Sequence, residues 1–280
     1  MKTLPWALWA STLLLAACAA QTPENEPLAT AGALGPIGPQ PAAVTETISS
    51  APAPQTGDSI TVEYLTGRFD PAKDRRFVKV RPEHGNGEAM YLRQEAYEAF
   101  VRMFDAAKKQ GISLKILSAT RGFDRQRLIW EEKWNGRRAV DGEFLQGPAK
   151  DPAERAQKIM RWSSMPGTSR HHWGTDMDLN DMNNSYFTQG QGKKVYEWLV
   201  ANAPNFGFCQ VYSAIGPQRP HGYQEEKWHW SYLPIARVLT ERYRDMIQDQ
   251  DIQGFIGAEA APQIRAIERY VLGINPECTR

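Results

Sequence analysis

The chain has 280 residues, 41% of them hydrophobic and 23% charged, the make-up of an ordinary folded domain once any tails are set aside. Its 33 Lys and Arg against 32 Asp and Glu leave it near neutrality, without the basic footprint of a nucleic-acid binder. The expectation is therefore a monomer with one catalytic domain and no nucleic-acid partner.

The first residues, "MKTLPWALWASTLLLAACAAQ", place Lys2 ahead of an apolar run that ends in small residues, the layout of a secretory signal over residues 1–17. Leu15-Ala16-Ala17-Cys18 resembles a bacterial lipobox, which implies lipidation of Cys18 and an anchor in a membrane. Asp is absent after Cys18, which in a Gram-negative host favours the periplasmic side of the outer membrane. Residues 18–58 are rich in Ala, Pro, Thr and Gly and lack aromatics, so they read as a disordered linker that lets the folded part reach away from the membrane. With Cys18 lipidated, Cys209 and Cys278 remain in an oxidising compartment, either bridged or as two free thiols.

The folded domain is expected over residues 59–280. In "YLRQEAYEAFVRMFDAAKKQG", Leu92, Ala96, Phe100, Met103, Phe104 and Ala107 recur at helical spacing, and Gly111 stands where a helix should stop. "ISLKILSAT" reads as a strand and "FDRQRLIWEEKWNG" as a second helix, with Trp130 and Trp134 one turn apart in the core. "RRAVDGEFLQGPAKD" reads as a loop, and Asp151 and Pro152 open a helix over "PAERAQKIMRWS". Further on, "TDMDL", "FGFCQVY" and "KWHWSY" predict short strands, while "GKKVYEWLVANAP" and "PIARVLTERYRDMI" predict helices. Short strands among helices, without regular alternation, predict an α+β fold: a small antiparallel or mixed sheet flanked by helices.

"SRHHWGTDMDLND" concentrates two of the five histidines and three acids in thirteen positions. A catalytic zinc needs three protein ligands and one open position. Asp176 and Asp178 share a strand face, so both carboxylates can approach one point. His171 and His172 are adjacent and point apart, so one of them is expected at a shared ion. His229, in "EEKWHWSY", sits among acids and aromatics and is the distant candidate, whereas His84 and His221 are expected as solvated loop histidines.

Ser169-x-His171-x-x-Gly174-x-x-x-Asp178, followed by Glu226-x-Trp228-His229, resembles the zinc D-alanyl-D-alanine carboxypeptidases of the vancomycin-resistance type, relatives of the LAS metallopeptidases. Ser118-x-x-Arg121 with Gln126, and the entry segment "YLTGRFDP", are similar to the same family. The resemblance implies a Zn2+ cofactor bound by His171, Asp178 and His229, Glu226 as general base, and Arg121 polarising the substrate. It also implies that Ser169 and Gln126 hold the peptide, and that the substrate is a peptidoglycan stem peptide. Asp176 departs from the family, in which many members carry a small residue there; the family spacing selects Asp178 as the ligand. An extended "EEKWHW" would put Glu225, not Glu226, on the face of His229, so the implied roles require a bend just before the strand.

The bond cleaved is left open between a terminal D-Ala carboxypeptidase reaction, an L,D-carboxypeptidase reaction and cross-link endopeptidase cleavage. Two rivals stand beside the peptidase: a non-catalytic wall-binding lipoprotein, and a non-haem Fe(II) oxygenase with two His and one carboxylate. Against the latter, that triad usually sets His and carboxylate one residue apart, whereas six residues separate His171 from Asp178. The tetrapeptide Ser-x-x-Lys of serine D,D-peptidases is absent from the chain.

Overall fold

The computed structural model describes residues 59–279, so the expected signal segment over residues 1–17, Cys18 and the expected linker over residues 18–58 lie outside the described residues. The four strands expected from "ISLKILSAT" onward come together in one sheet: β3 (Ile116–Ser118), β4 (Asp176–Leu179), β5 (Phe208–Gln210) and β6 (His229–Tyr232), in the order β3-β4-β6-β5. Every pairing in it is antiparallel. A second antiparallel pair, β1 (Phe77–Lys79) with β2 (Tyr91–Arg93), is additional to the strands expected from the sequence. The architecture is thus α+β, with two small antiparallel sheets flanked by helices.

All eight residues of the inner strands β4 and β6 are buried, yet their chemistry alternates. Asp176, Asp178, His229 and Ser231 share one face by the two-residue period, and Met177, Leu179, Trp230 and Tyr232 share the other. The apolar face joins the hydrophobic core, leaving the polar face for chemistry.

The helices flank this sheet. A single turn, α1 (Val62–Leu65), is capped by the Thr61 hydroxyl, which accepts from the Tyr64 amide. α2 runs Gln94–Lys109 and buries Ala96, Phe100, Met103 and Ala107, as their spacing predicts. Leu92, expected at the start of that periodicity, lies on β2; the hairpin claims it before the helix begins. Gly111, at φ +73°, turns the chain away in the left-handed region open to glycine. In α3 (Phe123–Trp134) the rings of Trp130 and Trp134 stack 5.8 Å apart in the core. α4 (Pro152–Ile159) begins on the Asp151 carboxylate, which accepts from the Ala153 and Glu154 amides. α5 (Gly190–Asn202) and α6 (Leu233–Met246) occupy the segments expected for them, and α7 (Ala260–Ile264) packs against α4.

His84 departs from its expected solvated loop position. Its ring is 3% exposed, lies among Tyr97, Phe100 and Phe104, and its Nδ1 is 2.7 Å from the Tyr97 hydroxyl. The turn-like "PEHGNG" context reports a surface backbone, but the ring folds inward onto an aromatic cluster that α2 supplies.

Cys209 and Cys278 form a disulfide, so of the two states open from the sequence the bridged one holds. It ties the C-terminus to the edge strand β5, where Asn275 also donates its backbone amide to Val211 O at 2.8 Å and its side-chain amide to Gln210 O at 3.1 Å. The bridge closes a loop with a sequence separation of 69, and a loop of that size restricts the unfolded chain strongly. Cys278→Ser is expected to lower unfolding free energy by about 2–4 kcal/mol, read by urea denaturation under non-reducing conditions; an unchanged midpoint would contradict this.

Candidate metal centre

The register of β4 on β6 sets the site, because it pairs Asp178 with His229 and Asp176 with Ser231 on one sheet face. His171 arrives from a 3-10 turn, Arg170–Trp173, that immediately precedes β4. Gly174 ends that turn at φ +75°, and a Cβ there would stand 2.2 Å from a ring carbon of Phe77. Glycine is therefore required both for the backbone conformation and for the close packing.

His171, Asp178 and His229, all buried, each offer a ligand atom, and these atoms lie within 4.8 Å of one another. Partners that can only accept decide which imidazole nitrogen faces the centre. His171 Nδ1–H donates to Ala119 O at 2.8 Å, which leaves Nε2 toward Asp178 at 3.3 Å. His229 Nε2–H donates to Asp176 Oδ2 at 2.9 Å, which leaves Nδ1 facing Asp178 and Glu226, each at 3.3 Å. His171 Nε2 and Asp178 Oδ1 are buried without any hydrogen-bond partner. Lone pairs converging in a buried pocket call for a cation between them, so the donor set fits a metal ion.

His172, the neighbour of His171, is occupied elsewhere. Its Nε2 accepts from the Gly167 amide at 3.0 Å and its Nδ1–H donates to Arg121 O at 2.6 Å. Burial pushes this imidazole down to about 3, so it stays neutral and structural. The adjacent pair thus divides as the geometry of the sequence requires, one ring toward the ion and one away.

Asp176 stands one step behind the centre. Besides His229, its carboxylate accepts from Arg170 Nε at 3.1 Å, Ser231 Oγ at 2.6 Å and Thr175 Oγ1 at 2.7 Å. Arg170, 1% exposed, also donates to Thr240 Oγ1 and Ser231 Oγ. Every lone pair of Asp176 is thereby engaged away from the ion, and its carboxylate fixes the tautomer and direction of the His229 ring. Arg170 was not singled out from the sequence; its position beside His171, six residues before an extra buried acid, was the available signal.

Electrostatics follow this layout. Burial pushes the Glu226 carboxyl up, partly countered by the His229 ring beside it. Burial alone would raise Asp178 too, yet the His171 and His229 rings hold it well below the usual carboxylate range. His229 shows the reverse balance: burial lowers it, but Asp176, Asp178 and Glu226 together hold it well above its ordinary value. A pocket that favours positive charge this strongly is suited to a divalent ion.

Glu226 reaches the centre through a turn. Residues 227 and 228 form it ahead of β6, and the His229 amide donates back to Glu226 O at 3.3 Å. This is the bend that the spacing required, and Glu226 is buried while Glu225 is half-buried. Asn184, which carried no sequence signal, clamps the turn by donating to Glu225 O at 2.6 Å and accepting from the Lys227 amide at 3.1 Å.

Arg121, Glu226 and Asp178 line a cleft of about 990 Å³. A smaller niche beside it is lined by Arg121, Ser163, Ser164, Ser169, Tyr212 and Tyr223 around His171, His229 and Glu226. Ser169 Oγ and Arg121 Nε are buried there without hydrogen-bond partners. Gln126 is 1% exposed, lines neither hollow, and donates its amide to Ser164 O at 2.7 Å, so it supports the wall of the niche from behind.

Asp176→Ala is expected to weaken metal binding about 10–100-fold, the usual effect of losing a carboxylate that orients a histidine ligand. It should also destabilise the fold by about 3–5 kcal/mol by stranding Arg170. The double variant Arg170→Leu/Asp176→Ala should regain stability without regaining affinity, read by chelator competition and denaturant unfolding; full affinity in either variant would contradict the orienting contact.

A model of the VanY family, described as D-alanyl-D-alanine carboxypeptidase, matches residues 89–235, just over half of the chain and all of the metal-group residues. A D-alanyl-D-alanine carboxypeptidase of Enterococcus faecalis is 31% identical over 173 residues, covering 61% of this chain and 58% of that protein. The putative carboxypeptidase YodJ of Bacillus subtilis is 29% identical over 168 residues, covering 58% of this chain and 51% of that protein. The chain therefore spans between half and three-fifths of these curated relatives. Among solved structures, a zinc complex of a mutant vancomycin-resistance D,D-pentapeptidase VanY is 25% identical with a TM-score of 0.43, over 68% of this chain and 92% of that one. With its matched segment carrying the His171, Asp178, Glu226 and His229 cluster, the chain belongs to the VanY family of D-alanyl-D-alanine carboxypeptidases.

Proposed function

We propose that this protein is a zinc-dependent metallopeptidase that removes the terminal D-Ala from peptidoglycan stem peptides. The observation that carries the reading is the pair of buried, unpartnered ligand atoms, His171 Nε2 and Asp178 Oδ1, set beside His229 and a burial-raised Glu226 at a cleft. Family membership supports the same reaction class.

In this reading His171, Asp178 and His229 hold the zinc, which when bound supplies a Lewis acid that polarises the scissile carbonyl and makes water acidic near neutral pH. Glu226, whose Oε2 lies 3.3 Å from His229 Nδ1, takes the proton of the attacking water and returns it to the leaving amine. Arg121 presents its guanidinium to the oxygen on which charge builds. The niche receives the departing residue: Ser169 Oγ is a free buried hydroxyl, and a hydroxyl beside a cation suits a terminal carboxylate. Gln126 acts on the peptide only through the Ser164 backbone it holds.

Glu226→Gln is expected to retain zinc while lowering turnover of a peptide ending in D-Ala-D-Ala at least about 10²-fold, read by metal analysis and mass spectrometry of the products. Retained turnover would remove Glu226 from the proton transfer. Zinc, and not iron, in protein purified without added metal would separate the peptidase from an Fe(II) oxygenase.

A cell-envelope location is part of the proposal and rests on Leu15-Ala16-Ala17-Cys18 and the composition of residues 18–58. In a bacterial host the full chain should incorporate labelled palmitate and partition with membranes, and Cys18→Ala should abolish both; unlabelled wild-type protein would refute the anchor.

A further inference from the structure

The wall of the cleft beyond the metal group carries cations at helical spacing. Arg125, Ile129 and Lys133 of α3 all line it, four residues apart and so on one helix face. Arg138, in the loop after α3, extends the row.

These charges are poorly compensated. Arg125 makes no side-chain hydrogen bond or ion pair among the described residues, and Arg138 comes only within 3.6 Å of Glu132. Lys133 Nζ donates to a neutral partner, Ser163 Oγ, at 2.5 Å. Burial, with the charges of Arg138 and Arg121, pulls the Lys133 ammonium down to about 8. Of the carboxylates lining the cleft, Asp178 and Glu226 belong to the metal group, and Asp141 is held by Arg161 at 2.6 Å and by the Trp162 indole N–H. Glu88 is the remaining one. Lys133 is half-buried, while Arg125 and Arg138 are exposed at the rim of the cleft. Like charges set along one wall repel one another, and an anion lying along them relieves that repulsion.

From Arg125 to Lys133 the helix rises about 12 Å, the length of about three to four residues of extended peptide. With the departing residue in the niche, the retained part of the substrate would occupy the adjoining cleft, which this row lines. We infer that Arg125, Lys133 and Arg138 form a recognition site for a free carboxylate on the retained part of an acidic peptide, within about three to four residues N-terminal to the scissile bond. This rests on the hydrolase reading and adds the charge of the substrate to it: the enzyme selects acidic peptides over those whose upstream carboxyl is amidated.

The test uses two synthetic peptides, identical except that an upstream acidic residue is free in one and its amide in the other, both ending in D-Ala-D-Ala. The zinc-loaded protein should cleave the acidic peptide with kcat/KM up to about fivefold higher, the upper size of one exposed ion pair, expressed in KM and shrinking as salt is raised. In Arg125→Gln/Arg138→Gln, which leaves Lys133 in place, the ratio should fall toward one. Equal cleavage of both peptides by the wild-type protein, or an undiminished preference in the double variant, overturns the site. If neither peptide is cleaved, the hydrolase reading fails instead. Calorimetric binding of the two peptides to zinc-loaded Glu226→Gln then decides the row by itself, since equal affinities overturn it and tighter binding of the acid upholds it.

Discussion

The site depends on one cross-strand register, Asp178 opposite His229 with Asp176 opposite Ser231, between two strands whose polar faces are buried as completely as their apolar ones. A shift of one residue would turn both carboxylates into the hydrophobic core and present Met177 and Leu179 to the ion. The register is held from outside the site: Trp230 and Tyr232 pack in the core, and the Tyr232 amide donates to Thr175 O. Ordinary packing on one face thus enforces the chemistry of the other.

Burying so many carboxylates and imidazoles together is unfavourable unless each has a defined partner. The structure divides them into two layers. Asp176 is saturated by Arg170, Ser231, Thr175 and His229, so its charge is spent on orientation. Asp178 keeps an oxygen free for an ion. The same division separates the adjacent histidines, His172 satisfied at both nitrogens and His171 at one. Chemical function at this centre belongs to the groups left incomplete.

Much of the fold was legible in the chain because its elements carry local signals. The α2 period, the Asp151 cap of α4 and the turn ahead of His229 required by the family spacing are all visible over a few residues. The β1–β2 hairpin was not, since strands of three residues are too short for a period, and Leu92 matched the helical phase by chance. His84 was misread because its neighbours in sequence describe a turn while its neighbours in space are the aromatic rings of α2.

By itself, the sequence determined the inventory of the metal group: two histidines, an aspartate and a glutamate at a spacing shared with a known family, together with the helices and strands that carry them. Only the tertiary structure decided what Asp176 does beside Asp178, which side of each imidazole is free, and that Cys209 and Cys278 are bridged. The reason is physical: spacing along a chain fixes which face a side chain leaves from. Whether that side chain is free to bind depends on partners such as Arg170, Ala119 and Asn184, which folding brings from other parts of the chain.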